Sequence, residues 1–358
     1  MRKLASIRRV AEIKPIEGAD KIVKARVDGW WLVTAIDNGI MVNDLVIYFE
    51  IDSFLPVEDR YEFLRKGCFK STTNLGDGFR LKTIKLRGQI SQGLIMPLTR
   101  SVVDGVPEYT FLDKDGNETV AHEGDDVTEL LGVQKFEKPI PLQLSGQIKG
   151  DFPWLIRKTD QERVQNILGE LMYDLDCEWE PSLKLDGSSM TVYHKAGEIG
   201  VCSRNIDLIE TPDNAFWRVA RALKIPQQIQ WLGKNLAFQG ELMGPGVQGN
   251  REWLKDHTFF LFDIWDIDAQ RYYTPYERKR IVTMINDSGF TLPHVYTFPN
   301  KRLRDFGTTE EEIRLALLEE AKGPSIYNPI REGIVYKKLD GSMSFKVISD
   351  DFLMKEKD

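Results

Sequence analysis

The tetrapeptide KLDG stands twice in the chain, at Lys184–Gly187 and at Lys338–Gly341. A lysine beside a carboxylate is a candidate nucleophile when its amine is neutral. The same letters also suit a hairpin, because Asp-Gly supplies the positive φ angles of a two-residue turn. Both copies fit the turn: SLKL and SSMTVYH flank the first, GIVYKK and SMSFKVI the second. The residues downstream of each copy separate them. After Lys184 come Asp186, Ser203-Arg204-Asn205, Glu241, the run FLFDIW, Glu332 and Lys346. After Lys338 there are Lys346, Asp350 and Asp351, with no arginine, tryptophan or tyrosine.

A lysine attacks phosphorus only as the free amine, and a divalent cation with neighbouring positive side chains both depresses its pKa and neutralises phosphates. Such a site needs a nucleophilic lysine, carboxylates for a hard metal, basic groups for phosphate and an aromatic plane for a base. Lys184 has all of these downstream. Asp186 and Glu241 suit the metal, Arg204 offers a guanidinium, FLFDIW offers rings, Glu332 is a further carboxylate and Lys346 completes the set. The first KLDG is therefore read as chemistry and the second as a hairpin turn. Taken singly, each residue also has a structural reading. Phe262 suits a buried strand, Glu332 beside Arg331 a surface pair, and Glu241 before Leu242 a turn cap.

These residues need a scaffold. In the second half CEWEPSLKL, SSMTVYH, EIGVCSR, LAFQGEL, FFLFDIWDI, GIVYKK and SMSFKVI read as strands joined mostly by hairpins. Helices are signalled by a capping box at Thr159-Asp160-Gln161-Glu162, followed by Val164, Ile167, Leu168, Leu171 and Leu175 at helical spacing. A second box, Thr274-Pro275-Tyr276-Glu277, precedes Gly289, and TTEEEIRLALLEEAKG runs from an N-cap to Gly323. This half is α+β, with antiparallel sheets and flanking helices. It has no G-x-x-x-x-G-K-[ST], and GPGVQGN is not followed by the helix of a dinucleotide fingerprint. From Lys21 to Pro97 short β-type runs with turns predict a small barrel. The acidic stretch 101–130 and KFEKPIPLQLSGQIKGDFPW read as connection, so two domains are expected, 1–140 and 141–358.

With 42% apolar and 10% aromatic residues, each domain can bury an ordinary core. The net charge of −7 argues against a polyanionic partner, but it is segregated: residues 60–100 hold nine Lys/Arg against Glu62 and Asp77. That density can neutralise phosphates, and equally makes a solvated face. Cys68, Cys177 and Cys202 are isolated, as are the histidines, so neither a disulfide framework nor a zinc site is indicated. No membrane span and no secretory leader is read, which leaves a cytoplasmic expectation.

Two resemblances rest on these motifs. IKPIEGADKIVKARVDGWWLV, NDLVIYF and KLRGQISQGLIMPL resemble the OB barrel of tRNA-binding domains, which implies a nucleic-acid-facing surface with Lys85, Arg87 and one of Trp30 or Trp31. Trp30 and Trp31 are adjacent, so in a strand they face opposite ways and one is core. KLDG, SRN, GELMGPG, FFLFDIW, EGIVYK and SFKVIS, in that order, resemble motifs I, Ia, III, IIIa, IV and V of the covalent nucleotidyltransferases. A barrel ahead of this domain, rather than after it, looks like the Deinococcus/Naegleria-type RNA ligases. That resemblance implies ATP-dependent joining of RNA 3′-hydroxyl and 5′-phosphate ends, with Mg²⁺ or Mn²⁺, by a monomer, in a repair role, and leaves open a nicked duplex, a hairpin loop or a free single strand as the form in which the ends are held. It further implies Lys184 as the lysyl-adenylate, Arg204 on phosphate or ribose, Phe262 stacked on adenine and Lys346 on the α-phosphate. Asp186, Glu241 and Glu332 would gather the metal's water shell, as Mg²⁺ prefers. One departure is Ile348 where a second motif V lysine is usual, a contact that Lys337 could replace. The alternatives are a GTP-dependent capping guanylyltransferase and a non-catalytic RNA-binding protein.

Overall fold

A computed structural model describes residues 3–103, 106–136 and 146–355. The chain divides into two compact units, Met1–Pro139 and Ile140–Asp358. The expected boundary between residues 140 and 141 lies outside the described residues.

The strands of the first unit are β1 (Ala5–Pro15), β2 (Ile22–Val27), β3 (Trp30–Ala35), β4 (Leu45–Phe49), β5 (Ser53–Pro56), β6 (Phe69–Thr72) and β7 (Gly76–Arg80), then β8 (Ile84–Leu86), β9 (Gln89–Ser91), β10 (Leu94–Pro97), β11 (Thr99–Val103), β12 (Val106–Leu112), β13 (Glu118–Val120) and β14 (Gln134–Lys135). A five-stranded sheet in the order β10-β4-β1-β2-β3 curls into the OB-type barrel. β1 makes the curl possible. Its first residues pair with β4 and its last with β2, and an irregularity between Val10 and Glu12 bends it between the two partners. Ile7, Ile47, Phe49, Leu55 and Phe79 fill the interior. Trp30 is core and Trp31 faces outward, as the alternation of a strand requires.

The stretch 101–130 is not a mere connection. β11, β12 and β13 form a meander, and Phe111, Ala121, Val127 and Leu131 bury into the same core as Ile7 and Phe49. Its acidic residues lie between these apolar positions, which are too widely spaced to show a period, so the packing was invisible in the sequence.

The second unit has β15 (Ile148–Asp151), β16 (Glu162–Arg163), β17 (Glu178–Lys184), β18 (Ser188–Lys195), β19 (Glu198–Cys202), β20 (Ile206–Leu208), β21 (Leu236–Met243), β22 (Thr258–Asp266), β23 (Arg271–Tyr272), β24 (Lys301–Arg302), β25 (Gly333–Lys338) and β26 (Ser344–Ile348). Two sheets result, ordered β15-β20-β19-β18-β21-β22-β23 and β16-β26-β25-β17-β24. The helices Ala215–Ala222, Ile225–Trp231 and Pro275–Asp287 cover the first, with Phe238, Ile264 and Ile285 in their shared core. The helices Val164–Leu171 and Glu310–Glu320 cover the second through Trp179, Tyr336, Phe345 and Leu317. The unit is α+β with mostly antiparallel sheets.

Two local expectations differ from the structure. The helix after Thr159 begins only at Val164, because Glu162 and Arg163 pair in parallel with Phe345 and Lys346. That strand pairing takes the residues the capping box would have used. The two KLDG copies also diverge. Leu339, Asp340 and Gly341 turn between the paired strands β25 and β26, with Gly341 at φ +78°. Leu185, Asp186 and Gly187 instead carry the chain from one sheet to the other.

The remaining caps form as read. Thr274 Oγ1 accepts from Glu277 N at 3.2 Å while Glu277 accepts from Thr274 N at 2.8 Å, and Thr309 with Glu312 repeats the arrangement. Thr274→Ala should therefore destabilise the second unit by about 1 kcal/mol, read as a lower urea midpoint, with Thr274→Ser restoring it.

Candidate active site

Register places the chemistry on one face of the β16-β26-β25-β17 sheet. Ser182 lies opposite Val335, Val335 opposite Lys346, and Lys346 opposite Arg163. Directly paired residues share a face, as do residues two apart in a strand. Lys184, Lys337, Lys346 and Arg163 are therefore on one side, and Trp179, Ile334, Tyr336, Phe345 and Val347 on the other, in the core.

Lys184 ends β17. Its Nζ lies 2.7 Å from Glu332 Oε1, with the two side chains 24% and 15% exposed. Glu332 turns inward because Arg331 is engaged elsewhere. The Arg331 guanidinium donates to the carbonyls of Glu320, Ala321 and Lys322 at the end of the helix Glu310–Glu320, and it covers the Phe298 ring. Glu241 arrives from β21 and accepts from Gly187 N at 3.0 Å. A Cβ at position 187 would overlap Met243 Sδ and lie 2.5 Å from Leu242 O, so only glycine lets the crossing pass this close to β21. Asp186 faces Arg251 at 3.7 Å.

The neutral lysine expected beside a divalent cation concerns the metal-bound state; the protein's own groups act in the opposite direction. Burial pushes the Lys184 amine down, but Glu332, Glu241 and Asp186 outweigh it and hold the pKa above the ordinary lysine value. The protein's own groups keep the amine charged. The same crowding acts on Glu241. Burial raises its pKa, Lys184 opposes this, Glu332 adds to it, and the carboxyl stands at about 8.

Phe262 sits at an irregularity. Gln239 pairs with Asp263 and Gly240 with Leu261, so Phe262 is an extra residue on β22. A bulge of this kind re-aims a side chain and leaves a backbone carbonyl outside the ladder. Lys337 donates to that carbonyl, lies 2.8 Å from Asp263 Oδ1, and stands 5.6 Å from the Phe262 ring centroid. Burial pushes its amine down, only partly offset by Asp263, to about 8. Arg278 and Glu180 extend this buried network. Lys337 thus holds Phe262 and Asp263. Ile348 itself is buried. Leu183 and Leu185, the sequence neighbours of Lys184, line a cavity of about 450 Å³ with Phe260, His294, Val295 and Ile326.

The other expected residues are more dispersed. Arg204 is at the turn between β19 and β20, exposed, and pairs with Asp160 at 2.7 Å. Lys85 and Arg87 are exposed on the β8–β9 hairpin of the first unit. Among the described residues no group of three or more His, Cys, Asp or Glu is arranged to hold a metal ion. Arg163 escaped sequence reasoning because it lay inside an apparent helix start. Its only signal was its place just ahead of the apolar period.

The Glu241 shift has a measurable sign. A folded pKa of about 8 against 4.5 for the free group means that stability falls as pH rises between those values. From pH 5 to 8 the melting temperature of the native chain should fall relative to Glu241→Gln, which keeps an acceptor for Gly187 N. Parallel profiles would refute the assignment.

This geometry has counterparts in known proteins. An OB-fold domain family matches residues 4–98 and the RNA ligase family matches residues 178–349. A Naegleria gruberi RNA ligase mutant solved with AMP and Mn is 44% identical, with a TM-score of 0.87 over 99% of both chains. Another mutant of that enzyme, with ATP and Mn, is 44% identical with a TM-score of 0.86 over 99% of both chains. The same enzyme with PPi is 44% identical, with a TM-score of 0.85 over 99% of this chain and 98% of that one. The comparison with curated proteins returns no match. A half-buried lysine stands at a sheet crossing, bracketed by carboxylates and preceded in the chain by an OB-fold unit, and the chain is matched along its whole length by an RNA ligase: it belongs to the RNA ligase family.

Proposed function

We propose that this enzyme joins RNA 3′-hydroxyl and 5′-phosphate ends with ATP through an adenylate carried on Lys184. The observation that carries this reading is the Lys184 amine, set against Glu332 and bracketed by Glu241 and Asp186 on the sheet face that also bears Lys346 and Arg163. Relatives solved with ATP, AMP, Mn and PPi support the same ligands here.

In the first step the free amine of Lys184 bonds to the α-phosphorus of ATP, loses its proton, and the bond to pyrophosphate breaks. An RNA 5′-phosphate oxygen then displaces the lysine, which takes a proton back, and the 3′-hydroxyl, giving up its proton as its oxygen bonds to the 5′-phosphorus, finally displaces AMP from the RNA end. Each step is a displacement at phosphorus, so alignment and charge neutralisation supply most of the acceleration. Lys346 and Arg163, on the same sheet face, would meet the phosphates. Phe262, fixed at its bulge by Lys337, is proposed to stack on the adenine, and Arg204 would exchange Asp160 for phosphate or ribose.

Asp186, Glu241 and Glu332 are hard oxygen donors carrying more negative charge than Lys184 balances, which fits Mg²⁺ or Mn²⁺ held through its waters rather than by direct ligation. Bound there, the ion would neutralise phosphate charge. It would also draw the carboxylates from the lysine, leaving burial as the larger influence on the amine, and burial lowers its pKa.

The reading extends to a monomeric cytoplasmic enzyme acting on ends held in a nicked duplex. Cys68, Cys177 and Cys202 are thiols rather than disulfides, which supports a reducing compartment.

Mass spectrometry after incubation with ATP and Mg²⁺ or Mn²⁺ tests the nucleophile. Lys184→Ala should carry no AMP adduct and Lys338→Ala should carry the full adduct, since Lys338 is tied to Asp174 at 3.0 Å beside its turn. An adduct formed with GTP in place of ATP would favour the capping reading. Because the protein's own groups hold Lys184 protonated, the rate of adduct formation should also rise with pH until the amine is free. A rate independent of pH from 6 to 9 would contradict this.

A further inference from the structure

We propose that Arg251 is a positioning residue for the reaction at Lys184: its guanidinium, seated on the Phe352 ring, fixes the carboxylate of Asp186 beside the nucleophile. The inference rests on the ligase reading and deepens it, because it adds a residue that acts on that site without touching the reacting atoms.

The contact begins in a strained loop. Between β21 and β22 the chain runs GPGVQGNREWLKDH, and Gln248, Asn250 and Trp253 lie at φ +42°, +47° and +52°. Such angles are uncommon for residues with a Cβ, and in a residue as bulky as tryptophan they persist where surrounding bonds over-determine the backbone. Those bonds are present. Asn250 N donates to Val247 O at 2.7 Å and Trp253 N to Asn250 O at 2.9 Å. The Asn250 side-chain amide closes the turn from both sides, donating to Leu254 O at 2.8 Å and accepting from Leu254 N at 3.0 Å.

Arg251 sits inside this turn. Its carbonyl accepts from Asn328 Nδ2 at 2.8 Å, and the next residue, Glu252, is 4% exposed and accepts from Tyr327 N at 2.7 Å and Asn328 N at 3.1 Å. The Arg251 side chain places its Cζ 4.5 Å from the Phe352 ring centroid and its Nε 3.7 Å from Asp186 Oδ2. A guanidinium is flat, always charged and stacks on aromatic faces, so a ring that sets its plane also sets where its positive edge points. Phe352 is itself buried, in the short helix Asp350–Leu353 that follows Ser349, and Ser349 N donates to Glu332 O at 2.8 Å. The loop thus reaches two of the carboxylates around Lys184. Arg251 meets Asp186 directly, and Glu252 latches the segment that runs on from Tyr327 and Asn328 into Glu332. Asp186 lies between β17 and β18, outside either ladder, so its carboxylate takes its direction from the side chains around it.

The test is the rate of AMP adduct formation in a single turnover with ATP and Mn²⁺, read beside the crystal structure of the metal-free variant. Arg251→Ala should lower the maximal rate about tenfold while the half-saturating ATP concentration changes less, since a small misplacement beside the reacting atoms costs rate. Arg251→Lys keeps the charge without the flat stack and should recover part of the loss. Phe352→Leu, which removes the ring face, should lose rate in the same sense, and a native rate there overturns the part given to the ring. In metal-free Arg251→Ala the Asp186 carboxylate should turn from its native direction. An unmoved carboxylate overturns the proposal, and so does a raised half-saturating ATP concentration with the maximal rate intact, which would make Arg251 a phosphate ligand. If Arg251→Ala melts well below the native chain, the rate and structure of Arg251→Lys decide by the same criteria. Absence of an adduct from the native chain would instead sink the ligase reading, and the metal-free structure would still report whether Arg251 directs Asp186.

Discussion

The second unit is organised around a cation buried among more negative charge than it can balance. Lys184 contacts Glu332, and Glu241 and Asp186 add their fields, so the amine's pKa is held above the ordinary lysine value although burial pushes it down. The surplus appears on Glu241, whose carboxyl is pushed up to about 8. A site in this condition is poised for a divalent cation and a polyphosphate. The groups that hold the lysine inert are the ones a hydrated metal would engage, and withdrawing them leaves the burial that favours the nucleophilic form.

That crowding needs close backbone approaches, and the glycines supply them. Gly187 crosses beside Leu242 and Met243. A Cβ on Gly240 would overlap the Phe259 ring, and one on Gly333 would overlap Val347 O. The extra residue at Phe262 exposes a carbonyl, and Lys337 fills it while pairing with Asp263. Lys337, Asp263, Arg278 and Glu180 form a buried ionic network that ties the two sheets across the site. Removing one partner of such a network strands the others as buried charges, so these residues hold the geometry without touching the reacting atoms.

The OB-fold unit solves a different problem. Its interior is an ordinary apolar core extended by the meander of β11 to β13, and its distinctive chemistry is on the surface. There Lys85 and Arg87 are exposed, in a stretch from 60 to 100 whose nine basic residues oppose an overall charge of −7. Binding to a polyanion depends on the local field of such a patch more than on the sum over the chain.

That Lys184, Asp186, Glu241 and Glu332 belong together was legible because the chemistry proposed for them demands particular types in order, and order survives in a linear string. Strands with clear alternation and helices with intact capping boxes, such as Thr274 to Glu277, were legible for the same reason, since their signals are local. The acidic meander, the parallel pair at Arg163 and the bulge at Phe262 were not, because each depends on a partner distant in the chain. The two KLDG copies show the division most directly. The sequence determined that only Lys184 has the right company. Tertiary structure alone decided that its Asp-Gly is a crossing between sheets, that Glu332 and Glu241 meet it there, and that the amine rests charged, since burial and charge are set by groups brought together in space.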